Sequence, residues 1–307
     1  MPKFEEILSS ATDRCKGNII EDAAYNVGFQ KIYPFTTENI NGYINIFDLK
    51  DKSLLTVGSS ADQVLNAHLF GSNEIALLDI NPYTKFYYYL KVAALLELDY
   101  NSFLSFLCSK MYTPSYRINL NLYDKKIFDK IKNTLESINK DSYVFWNTLF
   151  ETFDSKTISD SLFTNDVHEE LVLKKINPYL SSNILFDELK SKIKNLSISF
   201  YSENILDALL NENYDNIWLS NIGKWMNKED LIRMINIMSK YLNKDGKLLA
   251  CYSYKVSEEE INEELNYINK ILDLPNFDSY TDSFDTTHVN SYSSKNKDGI
   301  LIYKRKY

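Results

Sequence analysis

Residues 54–82, LLTVGSSADQVLNAHLFGSNEIALLDINP, combine two short apolar runs with a small polar turn and a stretch of helical character. The runs 54–57 and 75–80 are typical of buried parallel strands. Residues 58–62 are small or polar and suit a tight turn from the first strand into a helix, which Gly71 then ends. The stretch therefore predicts a strand–helix–strand unit.

The same alternation of strands and helices returns in the C-terminal third of the chain. Asn81 and Pro82 predict the start of a helix that runs to about Leu98. Further strands are predicted at 196–200, 214–220 and 247–254, helices at 203–210, 230–242 and 257–272, and a β-hairpin within 285–305. This order predicts an α/β fold with a doubly wound, mostly parallel seven-stranded sheet.

The strand signals vanish between residues 100 and 194, where long helical stretches rich in aromatic residues take over. We therefore expect three parts. Residues 51–99 and 195–307 form the sheet domain, and 100–194 form a helical insertion that shapes a substrate pocket over the carboxyl edge of the sheet. Residues 1–50 form an N-terminal segment, whose aromatic residues either pack on the sheet as a lid or contact substrate. These aromatic residues are Tyr25, Phe29, Tyr33 and Phe35.

Composition narrows the classes of function. The 307 residues carry a formal net charge of −8, which argues against nucleic acid as the main partner, because phosphate binding needs clustered Lys and Arg. No run approaches the roughly 20 apolar residues of a membrane span, and residues 1–10 lack a signal-type apolar core. Three widely spaced cysteines and three dispersed histidines predict neither a disulfide framework nor a metal site, so a reducing cytoplasm is expected.

Asp79 closes the second predicted strand, 21 residues after Gly58. In doubly wound sheets, ligands bind beyond the carboxyl ends of the strands, and an acid at this place accepts the ribose hydroxyls of a nucleotide. The chain has one glycine and two serines where a dinucleotide fingerprint has three glycines, and it has no P-loop. The turn and the acid thus indicate either a nucleoside ligand or a structural turn in which Asp79 caps the next helix.

The motifs VGSSAD (57–62) and DINP (79–82) resemble those of class I S-adenosylmethionine-dependent transferases. More narrowly, they are similar to the betaine-lipid type of 3-amino-3-carboxypropyltransferase, together with residues 90–106 and WLSNIGKW at 218–225. The resemblance spans about residues 36–254 and is concentrated in those blocks. It implies S-adenosylmethionine as cofactor.

The resemblance also implies roles for particular residues. The turn at Gly58 would contact the methionine part of the cofactor, Asp79 the ribose and Ile80 the adenine. The expected cofactor-binding residues are Gly58, Ser59, Ser60, Asp62, Asp79, Ile80, Asn81, Tyr201 and Ser202. Ser220 and Asn221 would face the reacting sulfonium as the catalytic pair; the alternative for Asn221 is that it only satisfies the start of the turn that follows. Glu38 and Asp62 either orient an amino-acid ammonium group or cap helices.

S-adenosylmethionine carries its own electrophile, so the protein mainly supplies orientation and electrostatics. The resemblance favours transfer of the aminocarboxypropyl group to a small or lipid-like acceptor. Methyl transfer uses the same cofactor and remains an alternative, and so does a catalytically inactive cofactor-binding protein that works through interactions. His68, His168 and His288 are expected to be packing or surface residues. The sequence leaves the oligomeric state open.

Overall fold

The computed structural model describes residues 2–18, 29–58, 60–108, 111–113, 116–117, 123–164, 170–285 and 297–306. Seven strands of this part form one sheet in the spatial order β5-β2-β1-β6-β7-β9-β8. The first five in that order run parallel, and β9 is antiparallel to both of its neighbours. The sheet strands are β1 (Ser53–Val57), β2 (Glu74–Leu78), β5 (Ser197–Tyr201), β6 (Tyr214–Trp218), β7 (Leu242–Lys255), β8 (Phe277–Asp285) and β9 (Lys297–Arg305), and β3 (Met111–Thr113) and β4 (Tyr116–Arg117) pair separately. The predicted doubly wound, mostly parallel seven-stranded sheet is confirmed.

Helices cover both faces of this sheet. Successive side chains of a strand point to opposite faces, so Leu54 joins one apolar core while Leu55 joins the other. The first core packs against the N-terminal helices and the helices of 100–194, and the second packs against α11 and α12. The helices are α1 (Phe4–Cys15), α2 (Ile40–Tyr43), α3 (Asp62–Leu69), α4 (Tyr83–Glu97), α5 (Tyr100–Leu107), α6 (Lys125–Ile138), α7 (Lys140–Thr152), α8 (Ser155–Leu162), α9 (Glu170–Ile176), α10 (Asn183–Lys192), α11 (Lys228–Lys240) and α12 (Glu258–Leu272).

Two sequence-based predictions of local structure were wrong. The segment 203–210, predicted as a helix, forms turns, because the side chain of Asn204 accepts a hydrogen bond from the Leu206 amide (3.0 Å) and holds the chain in a turn. The first strand of the terminal hairpin is β8, which lies before the predicted 285–305 window. Residues 286–296, which include His288, lie outside the described part.

The helical insertion packs on one face of the sheet, against α3 and α4. Trp146 of α7, for example, donates a hydrogen bond to the Phe86 carbonyl of α4 (2.8 Å). In its described part, the insertion thus lies beside the two helices that follow β1 and β2, and its position over the carboxyl edge remains a prediction. No helix in the described ranges has the length and apolar character needed to cross a membrane.

A fully buried ion pair joins the sheet domain to the N-terminal segment and the insertion. The Lys91 ammonium of α4 donates to Asp62 Oδ1 (2.6 Å) and to the carbonyls of Pro34 and Ser60 (both 2.9 Å). Asp62 also accepts from the Thr36 amide (2.6 Å) and from the Tyr179 hydroxyl (2.8 Å). All three ammonium protons are satisfied, as a buried charge requires. Burial lowers the pKa of Lys91 from its usual value.

We expect Lys91→Met to lower the free energy of unfolding by about 3–5 kcal/mol, because it leaves the Asp62 carboxylate buried without its counter-charge. The double variant Lys91→Met, Asp62→Asn should lose less, since it leaves no uncompensated charge. Urea denaturation measures both. Lys125→Met is the control: it breaks an exposed pair with Glu151 and should cost less than about 1 kcal/mol. If Lys91→Met and Lys125→Met lowered the free energy of unfolding equally, the result would contradict a central role for the Lys91–Asp62 pair.

Candidate functional site at the carboxyl edge of the sheet

A cleft opens at the carboxyl ends of β1, β2, β5 and β6. Its cavity volume is about 100 Å³, and the empty space reaches about 560 Å³ when the part open to solvent is included. Its lining comes from the ends of β1 and β2 and from the loops after β2, β5 and β6. The lining residues are Val57, Leu78, Asp79, Ile80, Glu203, Asn204, Ile205, Ile222, Trp225 and Met226.

The position of the cleft follows from the sheet topology. From β1 the chain continues to β2 on one side, while β6 lies on the other side, so the strand order reverses between β1 and β6. The loops that leave the two strands diverge there and open a crevice, which is where doubly wound proteins bind ligands. The described part of 100–194 contributes nothing to the lining, so its predicted substrate role remains a prediction.

Asp79 lies half-buried at the rim of the cleft, directly after β2. Its Oδ1 accepts from the Asn81 amide (2.9 Å) and its Oδ2 from the Thr84 hydroxyl (2.9 Å). Burial raises the pKa of the Asp79 carboxyl to about 6, and these two hydrogen bonds oppose the shift. The carboxylate thus holds the start of α4 in the protein alone, and it has acceptor capacity left for a ligand in the cleft.

Ile80 and Asn81 continue the chain from Asp79. Ile80 lines the cleft with its apolar side chain. The side chain of Asn81 points to protein groups instead. Its Nδ2 donates a hydrogen bond to the Gln30 carbonyl (2.8 Å), and its Oδ1 accepts one from the Tyr83 backbone amide (3.1 Å). Asn81 therefore caps α4 as predicted, and its contacts in the structure are with protein groups.

The turn after β1 brings only part of the predicted set to the cleft. Gly58 follows the lining residue Val57, and a Cβ at Gly58 would come within 2.2 Å of the Leu77 side chain, so packing against β2 favours glycine there. Ser60 and Asp62 are fully buried in the ion-pair cluster. Asp62 has its oxygens occupied by protein donors, which favours the structural alternative for this residue. Ser59 lies outside the described residues.

Tyr201 and Ser202 end β5 and precede the lining residues Glu203 and Asn204. Both are half-buried. The Tyr201 carbonyl accepts a hydrogen bond from the Asp79 amide (3.0 Å), which ties the end of β5 to the rim of the cleft. The structure therefore places Tyr201 and Ser202 beside the cleft, directly before the residues that line it.

Ser220 and Asn221 follow β6 and precede the lining residue Ile222. Ser220 has φ of +59°, a left-handed conformation that is uncommon outside glycine and marks a sharp turn out of the strand. Its hydroxyl donates to Glu38 Oε1. The Asn221 side chain makes no capping bond to the short 3₁₀ helix Ile222–Trp225 that follows. Asn221 itself is not among the lining residues, so its predicted place at the reacting group remains a prediction.

Glu38 is a buried acid at this edge, and the sequence analysis left it as either a group that orients an ammonium ion or a helix cap. It is 2% exposed and accepts from Ser220 Oγ and from the Tyr43 hydroxyl (3.3 Å). Burial raises the pKa of its carboxyl to about 7. Hydrogen bonds from Ser220, Tyr43 and Gln63 oppose the shift, and the negative charge of Asp298 adds to it. No local motif announces such a residue, because its surroundings come from β6, α2, α3 and β9.

Sequence analysis also missed the apolar side of the cleft. Trp225 is 56% exposed at its mouth, and Ile205, Ile222 and Met226 lie beside it. The signal available was positional: each of these residues follows a predicted parallel strand by a few residues. An exposed indole beside aliphatic side chains can pack on a flat ring.

The histidines take no part in this site as far as the structure describes them. His68 lies near the end of α3, with Nδ1 2.9 Å from the Ser72 carbonyl. His168 and His288 lie outside the described residues. In the described ranges, no three His, Cys, Asp or Glu side chains come together as a metal site requires.

Comparison with known proteins gives similarity without a family. No protein-family model and no curated protein sequence match the chain. Among solved structures, the N-methyltransferase NodS from Bradyrhizobium japonicum WM9 in complex with S-adenosyl-L-homocysteine aligns over 98% of this chain and 99% of its own, with 8% identity and a TM-score of 0.41. Magnesium protoporphyrin IX methyltransferase (ChlM) from Synechocystis PCC 6803 with bound S-adenosylhomocysteine aligns over 87% and 80%, with 9% identity and a TM-score of 0.36.

These values are too low to assign a family or an activity. The chain's own strand order and the position of its cleft define the class: a doubly wound α/β protein with a cleft at the switch point of the sheet.

Glu38→Gln should change how stability depends on pH. The folded pKa of Glu38, about 7, lies above the unfolded value of about 4.3, so the wild type is most favoured below the unfolded value and loses stability as pH rises through 7. The glutamine side chain of the variant does not titrate. We therefore expect the free energy of unfolding of Glu38→Gln to gain on that of the wild type between pH 5 and pH 8, measured by urea denaturation. Glu74→Gln, at the exposed start of β2, should show no such gain. Parallel pH profiles for wild type and Glu38→Gln would refute the assignment.

Proposed function

We propose that this protein is an S-adenosylmethionine-dependent transferase and that the cleft at the carboxyl edge binds the cofactor. The observation that carries the proposal is the place of Asp79: its carboxylate lies at the rim of the cleft, at the end of the strand beside β1. An acid there is suited to accept two ribose hydroxyls. Ile80, Ile205, Ile222 and Trp225 supply an apolar slot of the kind that a purine ring needs.

Three further features support this cofactor over others. The turn after β1 lacks both the three-glycine dinucleotide fingerprint and the P-loop lysine, which disfavours NAD and ATP. The sequence blocks at 57–62, 79–82 and 218–225 resemble those of class I S-adenosylmethionine-dependent transferases. Ser220 and Asn221 leave β6 next to the cleft, where short polar side chains can orient a reacting group without blocking it.

We further propose that the group transferred is the 3-amino-3-carboxypropyl group, with a small or lipid-like acceptor. The support is the narrower resemblance of the same blocks to the betaine-lipid type of enzyme. Methyl transfer is the second candidate, since it needs the same cofactor with a different sulfonium carbon turned toward the acceptor. A protein that binds the cofactor without turnover is the third.

Calorimetry tests the cofactor. We expect S-adenosylmethionine, S-adenosylhomocysteine and methylthioadenosine to bind, and NAD and ATP not to bind. Asp79→Ala should weaken binding at least about tenfold, because charge-assisted hydrogen bonds to the ribose contribute about 1.5–3 kcal/mol each. Asp79→Asn keeps an acceptor for the Asn81 amide and should show a similar loss without the added loss of the helix start. Glu74→Ala, at the other end of β2, is the control. Unchanged affinity in both Asp79 variants would leave Asp79 as a cap.

The affinity should also depend on pH. The pKa of Asp79 in the free protein is about 6, and the ribose hydroxyls bind the charged form. We therefore expect the affinity for methylthioadenosine to fall as the pH drops below about 6 and to level off above it. Asp79→Asn should remove this dependence. A wild-type affinity that is flat between pH 5 and pH 8 would contradict the prediction.

Product analysis decides between the reactions. Turnover with a metabolite extract should release methylthioadenosine if the aminocarboxypropyl group moves, and S-adenosylhomocysteine if a methyl group moves. Asn221→Ala should lower turnover far more than cofactor affinity, because orientation is expressed in the transition state. If Asn221 serves only the turn, thermal stability will fall while turnover per folded molecule stays near that of the wild type.

A further inference from the structure

Glu38 occupies a position that the proposed cofactor cleft does not explain. Its hydrogen-bonding partners come from both sides of the switch point: Ser220 from the turn after β6, and Gln63 from the first turn of the helix after β1. Tyr43 approaches from α2. The carboxyl group is thus held between the carboxyl ends of the two strands where the chain order reverses.

The described groups that shift the pKa of Glu38 are neutral or negative, and Lys224 lies further out, with its ammonium 5.2 Å from the centre of the Tyr254 ring. Three neutral groups donate to it, and the charged side chain that perturbs it, Asp298, is an acid. Within the described ranges, Glu38 makes no ion pair. A buried carboxylate in a low-dielectric site without a cation is costly, so burial raises its pKa to about 7. A carboxylate has about four acceptor positions, so capacity for further donors remains.

Gln63 provides a second, independent observation. Its side chain is 2% exposed and its Nε2 donates to the Thr36 hydroxyl (3.3 Å). Its Oε1 is buried and accepts no hydrogen bond from the described residues. Buried acceptors in native proteins are nearly always satisfied, and each exception calls for an explanation. Gln63 Oε1 thus lacks a donor beside a carboxyl group that lacks a cation, and a ligand group with several N–H donors and a positive charge would satisfy both.

We infer that Glu38 and Gln63 form a binding site for a primary ammonium group at the switch point of the sheet. An ammonium group has three donors and no acceptor, which matches one carboxylate and one amide oxygen. The hydroxyl of Ser220 and the ring of Tyr43 border the site. The group comes either from the amino-acid part of the cofactor or from a separate amine acceptor. The first of these sources rests on the proposed function.

Occupancy of this site has a pH signature with a defined sign. Ammonium binding favours the charged carboxylate and so lowers the pKa of Glu38 from about 7, which releases protons near neutral pH. Affinity for an ammonium ligand should therefore fall as pH drops below 7. The groups around Glu38 on the neighbouring elements are Tyr43, Gln63, Ser220, Tyr252, Tyr254 and Asp298, with Cys251 and Lys224 beyond them.

The test compares two adenosyl ligands by calorimetry on the full chain. S-adenosylhomocysteine carries the ammonium group and methylthioadenosine lacks it. If the cofactor supplies the ammonium group, Glu38→Gln should lower the affinity for S-adenosylhomocysteine at least about tenfold. The affinity for methylthioadenosine should change less than about twofold. Gln63→Met should also lower the affinity for S-adenosylhomocysteine and not that for methylthioadenosine, but by a smaller factor. The proton release that S-adenosylhomocysteine shows beyond methylthioadenosine, measured in buffers of different ionisation heat, should vanish in Glu38→Gln. Glu74→Gln is the matched control.

A second arm uses n-butylamine as a simple primary-amine probe, with and without methylthioadenosine. If a separate acceptor supplies the ammonium, the probe should raise the melting temperature of the wild type and not of Glu38→Gln, while S-adenosylhomocysteine affinity stays unchanged. The inference is overturned if Glu38→Gln and Gln63→Met alter neither S-adenosylhomocysteine binding nor the probe effect. The proposed function fails separately, if no adenosyl ligand binds the wild type, and the probe without an adenosyl ligand then still tests the ammonium site.

Discussion

The buried contact between Lys91 and Asp62 holds together parts of the chain that are far apart in sequence. Asp62 begins the helix after β1, Lys91 lies in the helix after β2, and their shared partners are the carbonyl of Pro34, the amide of Thr36 and the hydroxyl of Tyr179. One charge pair thus fixes the turn after β1 against the N-terminal segment and the insertion. Because each ammonium proton has an acceptor, the pair is a rigid joint, and the segment that carries Glu38 is positioned from it.

That joint explains how a segment outside the sheet reaches the switch point. The Thr36 backbone amide donates a hydrogen bond to the Asp62 carboxylate. Two residues later, the Glu38 carboxylate accepts one from the Ser220 hydroxyl, just after β6. Residues 34–38 of the N-terminal segment therefore lie in the interior at the carboxyl edge. Whether this segment works as a lid or contacts substrate remains a prediction, and its described contacts here are buried hydrogen bonds to α3 and to the turn after β6.

The two carboxyl groups of this edge have different surroundings. Asp79 lies at the rim of an apolar cleft and is held by Asn81 and Thr84, whereas Glu38 is enclosed by tyrosines and by neutral donors. Burial raises the pKa of both, to about 6 and about 7. Carboxyl groups with strongly raised pKa values cluster at functional sites, and this pair is therefore consistent with the proposed ligand site. The edge is therefore suited to a ligand with hydroxyl groups at one end and a positive charge at the other.

The sequence by itself determined the parallel strands, their order along the chain, the turn after β1 and the acid that ends β2. These features depend on apolar runs and small residues within a few positions, which local patterns record. It misassigned 203–210, where one Asn204 side-chain bond outweighs helical periodicity. Only the tertiary structure decided that Asp62 belongs to an ion pair, that the insertion packs beside α3 and α4, and that Glu38 meets Ser220. Glu38 and Ser220 are 182 residues apart in the sequence. The burial of a carboxyl group, and the rise in pKa that burial causes, arise only when such distant segments pack together.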